Sequence, residues 1–286
     1  MSAAPKEQPS GKLWGGRFDR APDELFYQFQ RSFAFDRRLL PYELAVDRVW
    51  AGALESAGIL SVEEMRDTLT ALDKIAERAT SDPAWLDASP AEDLHHFVET
   101  ALVEYLGPLG YKLHTGRSRN ELVATDFRMF VKEAAQQTRA AIARLIAALI
   151  GKAESVLGIP MPGMTHMQHA QPILFSHFLL AHGEAFFRDA VRVDAAAATA
   201  DACPMGSGAL AGCALDVDRG AIARELGFAR PTANSLDAAS DRDFALDFMY
   251  ASSMIMLHLS RLAEDWILYS SEEFEWMSLG DGVTSG

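Results

Sequence analysis

The sequence predicts an all-α protein in which a small N-terminal helical domain, residues 1–112, precedes a bundle of long helices, residues 113–286. Three observations carry this. From Leu122 to Leu157 apolar residues recur three or four apart (Val123, Phe127, Phe130, Ala134, Ala141, Leu145, Leu149), which is the apolar stripe of a helix. Two further stretches, from Pro172 to near Ala202 and from near Leu236 to Phe274, read as helices of comparable length. No segment alternates polar and apolar residues over enough positions to suggest a sheet.

Taken in order, the N-terminal MSAAPKEQPSGK is polar and lacks an apolar run, so it reads as a tail and not a secretory signal. Residues 36–106 read as shorter helices punctuated by Gly58, Pro83 and Pro90, with Ser61 and Glu64 spaced for a capping box. Gly158 and Pro160 stop the first long helix. Pro172 is expected in the first turn of the second, where its missing N–H costs nothing, and the alanines at 195–198 lie inside it, ahead of Pro204. At 1.5 Å per residue each long helix would span on the order of 45 Å, so the three must bury their apolar stripes against one another. Arg139, Arg144 and Lys152 interrupt the most apolar of them, so no membrane span is expected.

Composition excludes some classes of partner. Forty Asp and Glu against 26 Lys and Arg give a formal charge of -14, which argues against general affinity for nucleic acid or an anionic membrane. An anionic ligand must therefore be captured locally. Two cysteines, Cys203 and Cys213, make neither a disulfide framework nor a zinc-ligand pair, and a reducing, cytoplasmic setting follows.

Three stretches concentrate polar groups at the expected helix ends. In KLHTGRSRN, residues Lys112, His114, Arg117 and Arg119 precede the first carboxylate, Glu121. The positive end of the following helix and two guanidinium forks suit a carboxylate, and a dicarboxylate better; the alternative is that both arginines pair with acidic neighbours on another helix. In MPGMTHMQHAQP, Thr165, His166, Gln168, His169 and Gln171 place five hydrogen-bonding side chains within seven residues. His166 and His169 do not match a metallopeptidase, which needs histidines four apart with a Glu beside the first, where Met167 stands; no metal site is expected. The third stretch, PMGSGALAG at 204–212, superficially looks like a phosphate-binding loop, but it follows a helix in a chain without predicted strands and reads as a tight turn. His177, His182 and His258 read as packed helix residues, and NSLDAASDRDF at 234–244 as a capped helix start.

Together with KLWGGRF at 12–18, the stretches KLHTGRSRN and MTHMQHAQP, in this order, resemble the argininosuccinate lyase family of the fumarase and aspartase superfamily. The resemblance runs from Lys12 onward. It implies a mostly helical homotetramer with active sites shared between subunits, and reversible elimination of argininosuccinate to arginine and fumarate without metal or cofactor. By position it assigns Ser32 and Asp36 to the substrate site, Arg119, Asn120 and Thr165 to binding the fumarate-forming portion, and His166, with Thr165, to catalysis. Where the family usually reads Ser-Arg-Asn-Asp-Gln, this chain has Glu121 and Leu122. The family also continues beyond TSG into a serine loop carrying its proposed base, so a chain stopping at Gly286 is expected to be an N-terminal part, inactive alone. Alternatives are another lyase of the superfamily, such as adenylosuccinate lyase, and a non-catalytic crystallin-like or assembly-only subunit.

Overall fold

The computed structural model describes residues 23–284, so KLWGGRF and the last two residues of TSG lie outside the described residues. Helices dominate. In chain order they are α1 (Glu24–Gln30), α2 (Phe33–Asp36), α3 (Leu40–Ser56), α4 (Val62–Ser81), α5 (Pro83–Asp87), α6 (Leu94–Leu106), α7 (Arg119–Ser155), α8 (Phe175–Ala200), α9 (Arg219–Glu225), α10 (Ser235–Ser240) and α11 (Asp243–Ser270). A 3-10 segment, Gly107–His114, leads into α7. The expected capping box is present: Ser61 Oγ accepts the Glu64 N–H at 3.1 Å while Glu64 Oε2 accepts the Ser61 N–H at 2.9 Å.

The chain forms two compact units. The first contains the chain up to Phe127 together with Ala202–Ser240, and the second contains Arg128–Asp201 with the chain from Asp241 onward. Trp50, Leu54, Leu72, Ile75, Leu94 and Leu102 are fully buried in the first, where α3, α4 and α6 pack together. In the second, α8 packs along α11. Ala135, Ile142 and Leu149, seven apart on α7, meet Leu179, Phe186, Ala190 and Val193 of α8 and Ala251 and Leu262 of α11. That spacing repeats once every two turns, so one face of α7 stays buried along this length.

Three expectations need correction. Residues 160–174 form an antiparallel hairpin, β1 (Pro160–Thr165) and β2 (Gln168–Leu174). Pro172 lies in β2, and α8 begins three residues later, at Phe175. A second small sheet pairs β3 (Ala202–Cys203) in parallel with β4 (Arg230–Pro231). The third long helix is interrupted, because α10 stops at Ser240 and α11 starts at Asp243. The break is capped: Asp241 Oδ1 accepts the Asp243 N–H at 2.8 Å, its other oxygen pairs with Arg128, and that guanidinium lies over the Phe244 ring at 4.4 Å. Asn234 Oδ1 accepts the Leu236 and Asp237 N–H groups, so the 234–244 stretch serves the helix starts it was expected to cap.

Candidate active site

The KLHTGRSRN stretch meets carboxylates of its own fold. Lys112 pairs with Glu64, and His114 lies 3.9 Å from Glu99. Arg117, only 6% exposed, pairs with Asp47, which is fully buried. The reading in which the arginines pair with acidic neighbours therefore holds for Arg117, whose guanidinium is a structural cation, and for Arg119, which pairs with Asp93 and Glu92. Trp50 reinforces the stretch by donating its indole N–H to the Thr115 carbonyl at 3.3 Å.

Arg119 stands differently. It opens α7 and reaches Asp93 Oδ2 at 2.8 Å and Glu92 Oε1 at 3.3 Å, while remaining 21% exposed. Those two carboxylates sit at the start of α6, where Asp93 also caps the helix by accepting the His96 N–H at 2.7 Å. The Ser32 and Phe33 N–H groups both donate to the Glu92 carbonyl, at 2.8 and 3.2 Å. Ser32 Oγ donates to Asp36, whose pKa burial pushes up against the pull of that hydrogen bond. Ser32 and Asp36, together with the sequence-distant Arg119, are thus gathered around the Glu92–Asp93 turn. Asn120, one residue on, donates from Nδ2 to the Ala209 carbonyl at 3.2 Å.

Thr165 and His166 belong to the second unit, at the tip of the β1–β2 hairpin. Thr165 pairs with Gln168, and the two residues between them, His166 (φ 54°) and Met167 (φ 58°), both adopt left-handed backbone. This is the geometry of a tight two-residue turn that ordinarily favours Asn-Gly. Both side chains at the tip are exposed. Strain of this sort persists where the surroundings over-determine it, and such positions cluster at functional sites. Of the histidines read as structural, His258 is buried against Asp189 at 2.6 Å and His182 lies 3.1 Å from Asp265, whereas His177 is exposed.

Sequence reasoning missed the buried partners of the arginines. Asp47, Glu43 and Glu99 act on Arg117, Asp126 lies beside Glu43, and His95 Nδ1 is 2.7 Å from Glu43 Oε2. Glu43, His95 and Asp126 also place one potential metal-ligand atom each within 4.8 Å of one another. His95 already bonds Glu43 and Arg117 supplies a cation beside them, so this charge set balances within itself.

A protein-family model described as lyase matches residues 16–286. The chain belongs to this lyase family. Among lyase relatives, the argininosuccinate lyases of Koribacter versatilis (strain Ellin345) and Solibacter usitatus (strain Ellin6076) are each 48% identical over 275 residues. The alignments cover 96% of this chain and 59% and 60% of theirs. The argininosuccinate lyase of Acidothermus cellulolyticus is 45% identical, covering 100% of this chain and 59% of its own. The chain thus spans about 60% of the length of the curated relatives it matches. Among solved structures, EDDS lyase in complex with formate superposes with a TM-score of 0.77 at 28% identity, covering 87% of this chain and 50% of the other. A fumarate lyase:delta crystallin from Brucella melitensis, TM-score 0.69 at 18% identity over 94% of this chain and 64% of the other, shares the lyase fold.

Proposed function

We propose that the protein is an argininosuccinate lyase, catalysing the reversible elimination of argininosuccinate to arginine and fumarate. The observation that carries this reading is the 45–48% identity to argininosuccinate lyases across essentially the whole chain. In the reaction a base takes a proton from the carbon beside a carboxylate, the electron pair left behind forms the double bond of fumarate, and the C–N bond breaks. The departing nitrogen gains a proton and leaves with arginine. The carbon acid is weak, so charge building on its carboxylate must be met by preorganised cations and hydrogen-bond donors.

Arg119 and Asn120, together with Thr165, bind the portion that becomes fumarate, Ser32 and Asp36 line the substrate site, and His166 with Thr165 acts at the reacting centre. Arg119 supports this assignment because it is part-exposed, at the positive end of α7, and held toward carboxylates. A substrate dicarboxylate would compete there with Glu92 and Asp93. No metal or cofactor has a part in this reaction. The assembly we propose is a homotetramer whose active sites draw on several subunits, supported by apolar residues left exposed on α8 and α11. The proposed setting is the cytoplasm. No helix among the described residues is long and apolar enough to cross a membrane.

The test is turnover by the full-length protein of argininosuccinate, adenylosuccinate, fumarate and aspartate, followed by fumarate absorbance and product chromatography. Release of fumarate and arginine from the first, at a kcat/KM far above the others, is expected. Preference for another substrate would transfer the reading to that lyase, and turnover of none would favour an assembly-only subunit.

A further inference from the structure

The 204–212 loop binds an anion after all, and the anion is the protein's own. Glu121 is completely buried. Its Oε1 accepts the Ser118 N–H at 3.0 Å and its Oε2 accepts the Gly208 N–H at 2.8 Å, while the Ser207 N–H donates to the Pro204 carbonyl at 3.0 Å; burial pushes the Glu121 pKa up against the pull of these backbone N–H groups. Gly206 (φ 86°) and Gly208 (φ 60°) adopt the left-handed backbone that lets successive N–H groups converge on one point, as in anion-binding nests. Side chains would not fit there: a Cβ on Gly208 would lie 2.6 Å from the Gly212 carbonyl oxygen, and one on Gly206 2.7 Å from Arg219 Cγ.

The other side of the loop is held by a cation. Arg219 donates from Nε to the Met205 carbonyl at 3.1 Å and from Nη2 to Thr232 Oγ1 at 2.9 Å, with Ser207 Oγ 3.5 Å away. A carboxylate thus takes the Gly208 N–H of the loop and a guanidinium its Met205 carbonyl. Asn120, the residue before Glu121, donates to the Ala209 carbonyl of this same loop. Fixing the loop therefore fixes one face of the Asn120 carboxamide, which keeps a second N–H for a ligand.

We propose that Glu121 is a positioning residue, whose carboxylate fills the nest of the 204–212 loop and so holds Asn120 and the first turn of α7 in the geometry that binds the substrate carboxylate. The kinetic consequence rests on the lyase reading; the filled nest does not. Asn120 is assigned to binding, so loosening it should raise KM for argininosuccinate more than it lowers kcat. A purely structural role would instead lower the active fraction and leave KM alone.

The experiment compares Glu121→Ala, Glu121→Gln and Glu121→Asp in the full-length protein. Glu121→Ala leaves a cavity edged by N–H donors, so acetate should raise its melting temperature above that in equal chloride, while the parent protein shows no such preference. KM should rise about tenfold or more in the Ala and Gln variants and return toward the parent value in Glu121→Asp, which keeps the charge. Acetate acting no better than chloride, or an unchanged KM, would overturn the proposal. If Glu121→Ala does not fold, Glu121→Gln carries the test, because an amide N–H₂ facing N–H donors cannot replace the carboxylate; an unchanged KM in that variant overturns it equally. If the parent protein turns over no argininosuccinate, the lyase reading fails, and the acetate comparison still decides whether the nest is filled as described.

Discussion

Asp126 is completely buried, and neither of its carboxyl oxygens receives a hydrogen bond from a donor among the described residues. The side chain bonded to it is Glu43, another acceptor, so a bond between them exists only if one carries a proton. Burial, followed by the Glu43 charge, pushes Asp126 well above the ordinary carboxylate range. Glu43 is opposite: burial works against its charge, but the His95 charge and hydrogen bonds from His95 and Asp126 hold it down at about 2. Burial raises Asp47 to about 6 despite Arg117. The proton therefore resides on Asp126, leaving two carboxylates against Arg117 and His95. In the unfolded chain Asp126 titrates at its ordinary value. Above that value the native state binds one more proton than the unfolded state, so this contribution to stability declines as pH rises toward the native pKa. Asp126→Asn keeps a donor and does not titrate. Urea denaturation at pH 5 and pH 8 should show the variant gaining stability relative to the parent as pH rises; parallel pH dependence would refute a protonated Asp126. Asp47→Asn should behave otherwise, costing about 3–5 kcal/mol by leaving the buried Arg117 cation without its carboxylate. The excess of positive charge at 112–119 was legible in the sequence. Pairing with acids of another helix was one of its two readings; which acids was not legible, because Asp47, Glu92 and Asp93 lie in other segments of the chain.

At the scale of elements, the β1–β2 hairpin was the least legible. Its turn uses His166 and Met167 in place of Asn-Gly, and Pro162 and Pro172, partners across the hairpin, lack the backbone N–H that marks an ordinary ladder. Gly163 sits where the register shifts between Pro162 and Met164, and a Cβ there would lie 2.5 Å from the Gln171 carbonyl oxygen. The clash is with backbone, which cannot rotate aside. Gly163→Ala should therefore part the strands at the bulge, destabilise the protein by about 1–3 kcal/mol, and displace the tip that carries Thr165 and His166. Thermal unfolding together with fumarate release checks this; an unchanged melting temperature and unchanged turnover would show that the hairpin yields. The helical period of α7 was legible because burial on one face repeats it over many residues, but of the seven residues in the expected stripe only Leu149 is buried; the buried face runs through Ala135 and Ile142, and Ala141 is exposed. The break before α11 was not legible, since Asp241 interrupts the helix by capping and by pairing with Arg128 without disturbing the apolar period. The anchoring of Glu121 was not legible either: its bond to the Ser118 N–H is local, but its second, to Gly208, depends on a loop 87 residues away.

At the scale of the whole molecule, the long helices of the second unit each carry more apolar surface than that unit buries. On α8, Leu179, Phe186, Ala190 and Val193 face its core, yet Leu180, Phe187 and Val191, spaced by seven and four, are exposed. On α11, Ala251 and Leu262 are buried while Leu246, Tyr250 and Leu257 form a second exposed stripe at spacings of four and seven. A stripe at helical spacing, unlike scattered exposed leucines, is the pattern of a surface that another helix covers. The sequence length of these helices pointed the same way, and the second stripes are what the proposed tetramer would bury. Light scattering on the full-length protein should give the mass of four chains. Val191→Glu combined with Leu257→Glu places charge in both stripes without touching the buried faces, and should shift the protein to smaller species while circular dichroism retains its helical signal. If active sites are shared between subunits, fumarate release should fall with the mass. A parent protein that sediments as a single chain, or a double variant that keeps four-chain mass, would mean that these stripes are not the assembly surface.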